Sequence, residues 1–239
     1  PNQVFGGSDT DPANCYIVIW TTTTWTIPAN LALAVHPDSE YVVVTIGDEK
    51  YLAAKPLVNR VVEAVTGNPA DDSNHSIGPA MQGAALEGVV GRHPLFSRTS
   101  PVVMASYVTM EDGTGIVHTA PGHGKEDFET GVRYGLEILC PVGPDGAYTK
   151  QAGEQFVGKR ILGGHANQAV LEALQAAGNV LKISEFDHSY PHCWRCHNPL
   201  LFRATVQWFM NIDHEIDGAT HRDRALKAIQ ETQWVPPVS

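Results

Sequence analysis

Residues 113–128 read GTGIVHTAPGHGKEDF, a stretch that predicts a strand, a tight turn and a helix in direct succession. The residues IVHT favour the strand, PGHG interrupts it, and KEDFETGVRYGL begins the helix. Across such a turn His118 and Asp127 can lie at the same end of the strand. The amino end of a helix stabilises negative charge, so we expect Asp127 to stay ionised and to suit a cation such as an ammonium. On spacing alone, a first-turn helix residue and a partly buried histidine fit equally well.

Outward from this stretch, strand-forming segments dominate much of the chain. Strands are predicted at 15–21, at 41–54 as a hairpin, and at 100–109. Helices are predicted at 56–65, at 167–180 with Gly178 as the stop, and at 220–232. The segment 188–213 is aromatic and rich in possible metal ligands. We therefore expect a strand-dominated α+β domain over residues 1–184, followed by a distinct segment over 185–239.

The composition narrows the classes of function. The chain has 239 residues, of which 43% are hydrophobic, and a net charge of −10. Such a charge argues against a broad surface for nucleic acid, because affinity for phosphates comes mainly from Lys and Arg. No apolar run reaches the roughly 18 residues of a membrane span. Four cysteines and no signal peptide favour a reducing compartment such as the cytoplasm. The first residue is Pro rather than Met, which we interpret as the mark of an excised or trimmed chain.

Four consecutive threonines, Thr21 to Thr24, stand between Trp20 and Trp25. Threonine is stiff at χ1, and its hydroxyl can position a water molecule or accept a hydrogen bond from an ammonium. If the chain stays extended, at most two of the hydroxyls share one face. A threonine run is also common in ordinary strands, so the run alone does not decide between the two interpretations.

Together these segments resemble a known family. WTTTTWTIPAN (20–30) is similar to the threonine-rich peptide of the editing insertion in isoleucyl-tRNA synthetases, and GTGIVHTAPGHGKED (113–127) resembles its second editing motif. YPHCWRCHNPLLFRATVQWF (190–209) looks like the stretch where that insertion returns to the catalytic body. The form of the second motif is that of bacterial and organellar enzymes. Thr24 stands where the family usually has proline, which changes local rigidity because proline fixes φ.

The resemblance implies a barrel-like, strand-dominated α+β editing fold with peripheral helices. It also implies hydrolytic removal of valine from the 3′ end of tRNA(Ile), and of valine from valyl-adenylate, within a larger synthetase. The chain shows no HIGH-like or KMSKS-like signature, so we expect no amino-acid activation. Editing requires no cofactor in this scheme. The expected partners are the tRNA, the adenylate and the rest of the synthetase, with no membrane, in the cytoplasm or in an organelle if the source is eukaryotic.

The resemblance also implies roles for individual residues. Asp127 would bind the α-ammonium of valine, and Thr22 and Thr23 would hold the aminoacyl group and the hydrolytic water. Thr23 and His118 would bound the side-chain pocket, and Trp25 would add a wall. The predicted catalytic residues are Thr22, Thr23, His118 and Asp127. The further predicted substrate-binding residues are Trp20, Thr21, Thr24, Trp25, Gly115 and Thr119. His123, between two glycines, is expected in an exposed loop rather than at a reactive position.

Cys193 and Cys196 have the CxxC spacing of metal ligands, with a histidine on either side. Tetrahedral zinc needs four ligands, so one CxxC is half of a site. The resemblance implies that the other half precedes residue 1, so zinc is expected only with ligands outside this chain. Cys15 and Cys140 are expected to be small buried residues. The apolar run at 199–209 is expected to lie exposed when it is not covered by the rest of a synthetase.

Three other functions remain open from the sequence. The first is a non-catalytic module that docks the tRNA 3′ end. The second is the same editing fold with leucyl or valyl specificity, against which His118 argues. The third is a zinc-dependent hydrolase, for which the chain lacks an HExxH or comparable ligand set.

Overall fold

A computed structural model describes residues 4–5, 14–71, 73–185, 187 and 189–235 of the chain. Two compact units divide it, Pro1–Ala204 and Thr205–Ser239. The first unit thus extends 20 residues beyond the boundary that the sequence placed at 184. Within the described residues, no helix has the length and the apolar character that crossing a membrane requires.

The first unit contains two open sheets. Its strands are β1 (Cys15–Ile17), β2 (Ala32–Val35), β3 (Glu40–Ile46), β4 (Glu49–Ala54), β5 (Ser76–Ile77), β6 (Met81–Gln82), β7 (Val90–Arg92), β8 (Thr99–Met104) and β9 (Ile116–Thr119). One sheet has the order β1-β4-β3-β5 with β6 also on β3, and the other has the order β7-β8-β2-β9. The expected β3–β4 hairpin is confirmed. The fold is strand-rich α+β as predicted, and its described strands form two open sheets rather than one closed barrel.

The strand that positions the site was not predicted. β2 (sequence ALAV) is completely buried, pairs parallel with β8 and antiparallel with β9, and places Leu33 opposite His118. Four small buried residues give neither the alternation of a half-buried strand nor a long apolar run, so the pattern is weak. Its pairing fixes which side of β9 faces the site.

Of the five hydrophobic clusters among the described residues, two hold the elements around the site. The first lies between the sheets and includes Leu33, Val35, Tyr41, Leu52, Val102 and Ile116. The second packs one turn of the threonine-rich peptide against helix α3 (His165–Ala176) and the segment before it, and includes Trp25, Ile27, Tyr148, Phe156 and Val170. The peptide is therefore part of a core on one side and free on the other.

The other helices of the first unit are α1 (Val58–Thr66) and α2 (Lys125–Tyr134). Gly178, two residues after the last residue of α3, terminates the helix as expected and has φ +70°. The amide of Gly178 bonds the carbonyl of Gln175 at 3.0 Å, and that of Asn179 bonds Leu174 at 2.9 Å. These two bonds form a Schellman motif, which satisfies carbonyls that the helix leaves free.

The second unit is a hairpin and a helix. Strands β10 (Glu215–Ile216) and β11 (Ala219–Thr220) pair antiparallel, and helix α4 (His221–Glu231) follows. The capping box of Thr220 and Asp223 begins this helix. No residue of α4 is buried, and the preceding Trp208 is fully exposed. The predicted exposure of large apolar residues around 199–209 is therefore confirmed.

Candidate functional site

A cavity of about 270 Å³ opens beside β9 and the threonine-rich peptide. It is lined by Trp20, Thr21, Thr22, Thr23, Thr26, Val117, His118, His123 and Asp127. All four predicted catalytic residues thus meet at one cavity, although more than 90 residues of chain separate the two segments. Of the predicted substrate-binding residues, Trp20 and Thr21 also line it. Thr24, Trp25, Gly115 and Thr119 are not among the lining residues, and Thr26, Val117 and His123 were not predicted.

The threonine-rich peptide is turned rather than extended. The amide of Thr23 donates to Oγ1 of Thr21 at 3.0 Å, and residues Thr24–Ala29 then form a 3₁₀ helix. The hydroxyl oxygens of Thr21 and Thr23 lie 3.4 Å apart. Trp25 is buried in the second core, whereas Trp20, the threonines Thr21 to Thr23 and Thr26 border the cavity. The turn gathers hydroxyls that an extended strand would send to opposite faces.

Asn167 of α3 fastens this turn at the position where the family pattern has proline. Its Oδ1 accepts a hydrogen bond from Oγ1 of Thr24 at 2.9 Å and from the amide of Trp25 at 3.0 Å. Proline at position 24 would remove the Thr24 hydroxyl, so that only the amide of Trp25 would remain to donate to Asn167. Thr24 therefore contacts the helix instead of the cavity.

The side chains of His93 and Arg98 donate hydrogen bonds to backbone carbonyls at the far end of the 3₁₀ helix. Nδ1 of His93 accepts the amide of Leu95 at 3.0 Å, so Nε2 carries the proton and donates to the carbonyl of Ile27 at 2.9 Å. Burial, with a smaller contribution from the nearby Arg98, lowers the pKa of His93 to about 4, although the hydrogen bond to Ile27 acts in the opposite direction. Nε of Arg98 donates to the carbonyl of Asn30 at 3.0 Å. A neutral histidine and an arginine thus fix the peptide from the β7–β8 side.

His118 is a buried wall of the cavity with a defined tautomer. Oγ1 of Thr26 donates to the carbonyl of Thr23 at 2.8 Å and lies 2.9 Å from Nε2 of His118. Since the threonine proton is used by Thr23, the histidine must donate from Nε2. Burial lowers the pKa of His118 to about 4, helped by the proximity of His93 and His123. The side chain is therefore neutral near pH 7 and held by one hydroxyl.

Asp127 lies in the first turn of α2, as predicted, and borders the cavity. Its Oδ2 accepts a hydrogen bond from the amide of Ala120 at 2.8 Å, and its Oδ1 accepts one from the hydroxyl of Tyr107 at 3.4 Å. Burial raises its pKa above the ordinary value, while both hydrogen bonds act to lower it. The net direction is opposite to that of the helix end considered alone, because desolvation penalises the carboxylate. A cationic group entering the cavity would relieve this penalty.

His123 corrects the sequence analysis. It was expected in an exposed loop, but the residue is only 8% exposed and borders the cavity. The ring lies edge-on to Trp25, with centroids 4.9 Å apart, and Nδ1 lies 3.0 Å from the carbonyl of Phe202. The burial depends on a segment 79 residues further along the chain, which local sequence does not reveal.

Gly115 and Thr119 contribute to the frame around the cavity. Gly115 has φ +72°, and a Cβ there would lie 2.3 Å from Cβ of Ala54. Its carbonyl accepts the hydroxyl of Tyr41 at 2.8 Å. Thr119 is fully buried, and its carbonyl accepts the amide of Leu31 at 2.9 Å. Both residues position β9, and their predicted contact with a substrate stays a prediction.

The CxxC segment forms a small turn in the first unit. The amide of Cys193 donates to the carbonyl of Asn198, and that of His197 to the carbonyl of Cys193, each at 2.8 Å. Amides of Cys196 and Arg195 lower the pKa of the Cys193 thiol. Among the described residues, no group of three or more His, Cys, Asp or Glu side chains could hold a metal ion.

The other two cysteines are less buried than expected. Cys15 packs at the edge of the first core and is half-buried, as is Cys140. A strand end and a loop, respectively, leave part of each side chain exposed.

Comparison with known proteins agrees with this geometry. The family described as leucyl-tRNA synthetase, editing domain, matches residues 17–184. The isoleucine–tRNA ligase of Carboxydothermus hydrogenoformans is 48% identical over 98% of this chain and 24% of that protein. The isoleucine–tRNA ligase of Nitratidesulfovibrio vulgaris is 47% identical over 95% of this chain and 23% of that protein. The chain thus spans about a quarter of the length of the curated relatives it matches.

Solved structures show the same fold at low sequence identity. The crystal structure of GlLeuRS-CP1 has a TM-score of 0.55 and 17% identity, with 78% of this chain and 88% of that chain covered. The editing domain of the P. knowlesi cytosolic leucyl-tRNA synthetase has a TM-score of 0.50 and 12% identity, with 68% and 83% covered.

Fold and cavity together define an editing domain of a class I aminoacyl-tRNA synthetase. The resemblance stated from the sequence is confirmed: the chain belongs to the editing-domain family of the leucyl-tRNA synthetase type, and the curated relatives reported above are isoleucine–tRNA ligases.

Proposed function

We propose that this domain hydrolyses valine from tRNA(Ile), and also acts on valyl-adenylate, as the proofreading part of an isoleucyl-tRNA synthetase. One observation carries the proposal: Asp127 and the hydroxyls of Thr21 to Thr23 border the same small cavity. A volume of about 270 Å³ is at the lower end for ligand pockets, which suits an aminoacyl group rather than a whole nucleotide.

The need for such a cavity follows from the limit of a synthetic pocket. One methylene in a hydrophobic pocket is worth about 1–3 kcal/mol, a limit for which isoleucyl enzymes are the standard example. A second site that admits valine and excludes isoleucine removes the remaining errors. His118 supports this assignment, because it is a rigid wall whose ring is held by Thr26.

For this hydrolysis the protein mainly has to position the ester and a water molecule. An aminoacyl ester is already activated, so a water molecule held in line with its carbonyl can attack without a protein nucleophile. Asp127 would hold the ammonium of the amino acid, since a desolvated carboxylate gains most from a cation. Thr22 and Thr23 would orient the ester and the water with their hydroxyls.

The wider setting is part of the same proposal. The partners would be the tRNA 3′ end and the rest of a synthetase, in the cytoplasm. With a net charge of −10, the domain would depend on other parts of the protein for most of its grip on tRNA.

The test is a deacylation panel on Val-, Ile-, Leu- and Thr-tRNA(Ile), with Asp127→Asn and Glu126→Gln as a matched pair. Glu126 is the exposed neighbour of Asp127 in the same helical turn and does not border the cavity. Losing one partner of a largely buried charge pair costs about 2–5 kcal/mol, so Asp127→Asn should slow Val-tRNA hydrolysis about thirtyfold or more. Glu126→Gln should hydrolyse as the wild type does.

Two results would contradict the proposal. Undiminished hydrolysis by Asp127→Asn would remove the assigned ammonium contact. Binding of the tRNA end by the wild type without any hydrolysis would instead support a docking module.

A further inference from the structure

His123 has a hydrogen-bonding group that the protein itself does not use. Nδ1 lies 3.0 Å from the carbonyl of Phe202, and a carbonyl only accepts, so Nδ1 carries the proton. Nε2 is then a lone-pair acceptor. It is buried and has no hydrogen-bond partner among the described residues. Leaving a buried acceptor unpaired is unfavourable, which is why such groups commonly mark a place for a ligand or water.

The ring has little freedom to find another partner. Trp25 packs against it edge-on, and the loop on its amino side is tight, since a Cβ on Gly122 would lie 2.2 Å from the carbonyl of Leu139. The amide of Ala204 also bonds the carbonyl of Gly122 at 2.7 Å. The ring is therefore held by contacts on several sides, and His123 borders the cavity.

The state of the ring limits what it can do. Burial lowers the pKa of His123, and the neighbouring Arg203 lowers it further. A neutral imidazole with a weakened basicity is a poor proton acceptor in a reaction but a sound acceptor of hydrogen bonds. It also adds no positive charge that would repel an ammonium.

We propose that Nε2 of His123 is a further substrate contact, accepting a hydrogen bond from the ammonium group that Asp127 binds. This rests on the function proposed above. An ammonium has three N–H donors, and one carboxylate that already accepts from Ala120 and Tyr107 does not satisfy all of them. His123 lies in the turn just before α2, Asp127 lies in the first turn of that helix, and both border the same cavity, so a single group can meet both.

The two ring nitrogens can be tested separately. In His123→Asn the amide nitrogen replaces Nδ1 and keeps the bond to Phe202, but nothing replaces Nε2. In His123→Gln the side-chain amide reaches the position of Nε2, but the bond to Phe202 is lost. Binding of a non-hydrolysable valyl-amide analogue of the aminoacylated adenosine is measured by calorimetry on the full chain. We expect affinity about tenfold lower for Asn and within about threefold of wild type for Gln.

A second ligand separates the ammonium from the ribose hydroxyls. In the isovaleryl analogue a hydrogen atom replaces the ammonium, which removes the donor, and the nucleoside is unchanged, so the difference between wild type and His123→Asn should shrink. An equal loss for both ligands would overturn the ammonium contact. A larger loss for Gln than for Asn would also overturn the proposal, because it would reduce His123 to an anchor for Phe202.

The wild type provides a readout that does not depend on folding of a variant. The ¹⁵N resonance of His123 Nε2 should move toward that of a hydrogen-bonded nitrogen when the valyl analogue binds, and an unchanged resonance would refute the contact. Failure of the proposed function looks different. In that case the wild type would not bind the valyl analogue, or Asp127→Asn would bind it as well as the wild type does.

Discussion

Removal of the Thr26 hydroxyl should release the wall of the cavity. Thr26→Val keeps the shape of the side chain but deletes the oxygen that accepts from Nε2 of His118. The carbonyl of Thr23 stays paired, because the amide of residue 26 also donates to it at 3.0 Å. The substitution therefore leaves one buried donor, the Nε2–H of His118, without its partner.

The magnitude follows from that single donor. An unsatisfied buried polar group costs about 1–3 kcal/mol of unfolding free energy. For a chain of this size each kcal/mol lowers the melting temperature by about 2–4 °C, so a fall of about 2–12 °C is expected. The same energy bounds the change in specificity: hydrolysis of Ile-tRNA relative to Val-tRNA should rise by at most about 5- to 150-fold.

The assay compares Thr26→Val with Thr26→Ser. Serine retains the hydroxyl and loses one methyl group, at about 1 kcal/mol, so it should melt lower but still reject isoleucine. Single-turnover deacylation of Val- and Ile-tRNA(Ile) gives the ratio for each variant. Equal rejection of isoleucine by the valine and serine variants would refute the idea that this hydroxyl holds His118.

Three further changes test other parts of the frame. His93 and His118 have folded pKa values of about 4 against an ordinary 6.5, so the unfolded chain binds more protons between these values. Stability should therefore fall as the pH drops from about 6.5 to 4, and urea unfolding of His118→Gln across that range should show a shallower decline. Gly115→Ala forces a Cβ against Ala54 at positive φ and should destabilise by about 2–4 kcal/mol, whereas a purely substrate-binding glycine would leave the urea midpoint unchanged. Asn167→Ala removes an acceptor that the Thr24 hydroxyl and the Trp25 amide share. It should lower the free energy of unfolding by about 1–3 kcal/mol and also lower the rate of valine deacylation. An unaltered rate would show that the turn keeps its shape without Asn167.

Local patterns predicted the elements whose signals lie within a few residues. The β3–β4 hairpin and the Gly178 stop depend on turn and cap residues next to them, and both were predicted. The Thr and Asp residues of the site came from family motifs rather than from spacing. The buried state of His123 was not predicted because a glycine-flanked histidine is ordinarily exposed, and its partners, the ring of Trp25 and the carbonyl of Phe202, lie in distant parts of the chain.

Thr26 and Asn167 were not predicted from the sequence for the same reason. A threonine after a tryptophan gives no sign of its partner, since His118 lies 92 residues away. Asn167 looks like an ordinary residue of an amphipathic helix until α3 packs against the threonine-rich peptide, where one amide oxygen accepts two hydrogen bonds. Such residues become visible only through long-range packing, so local sequence can predict the groups that face a substrate better than those that hold them.

The turn that leads into α2 and Asp127 is held by residues beyond the family match. The match ends at residue 184, yet the carbonyl of Phe202 accepts from His123 and the amide of Ala204 donates to Gly122 at 2.7 Å. These two bonds hold Gly122 and His123, while Asp127 accepts a hydrogen bond from the amide of Ala120 at the start of the same turn. Segment 202–204, at the carboxyl end of the first unit, therefore helps to hold the turn before α2 and with it the part of the cavity that His123 borders.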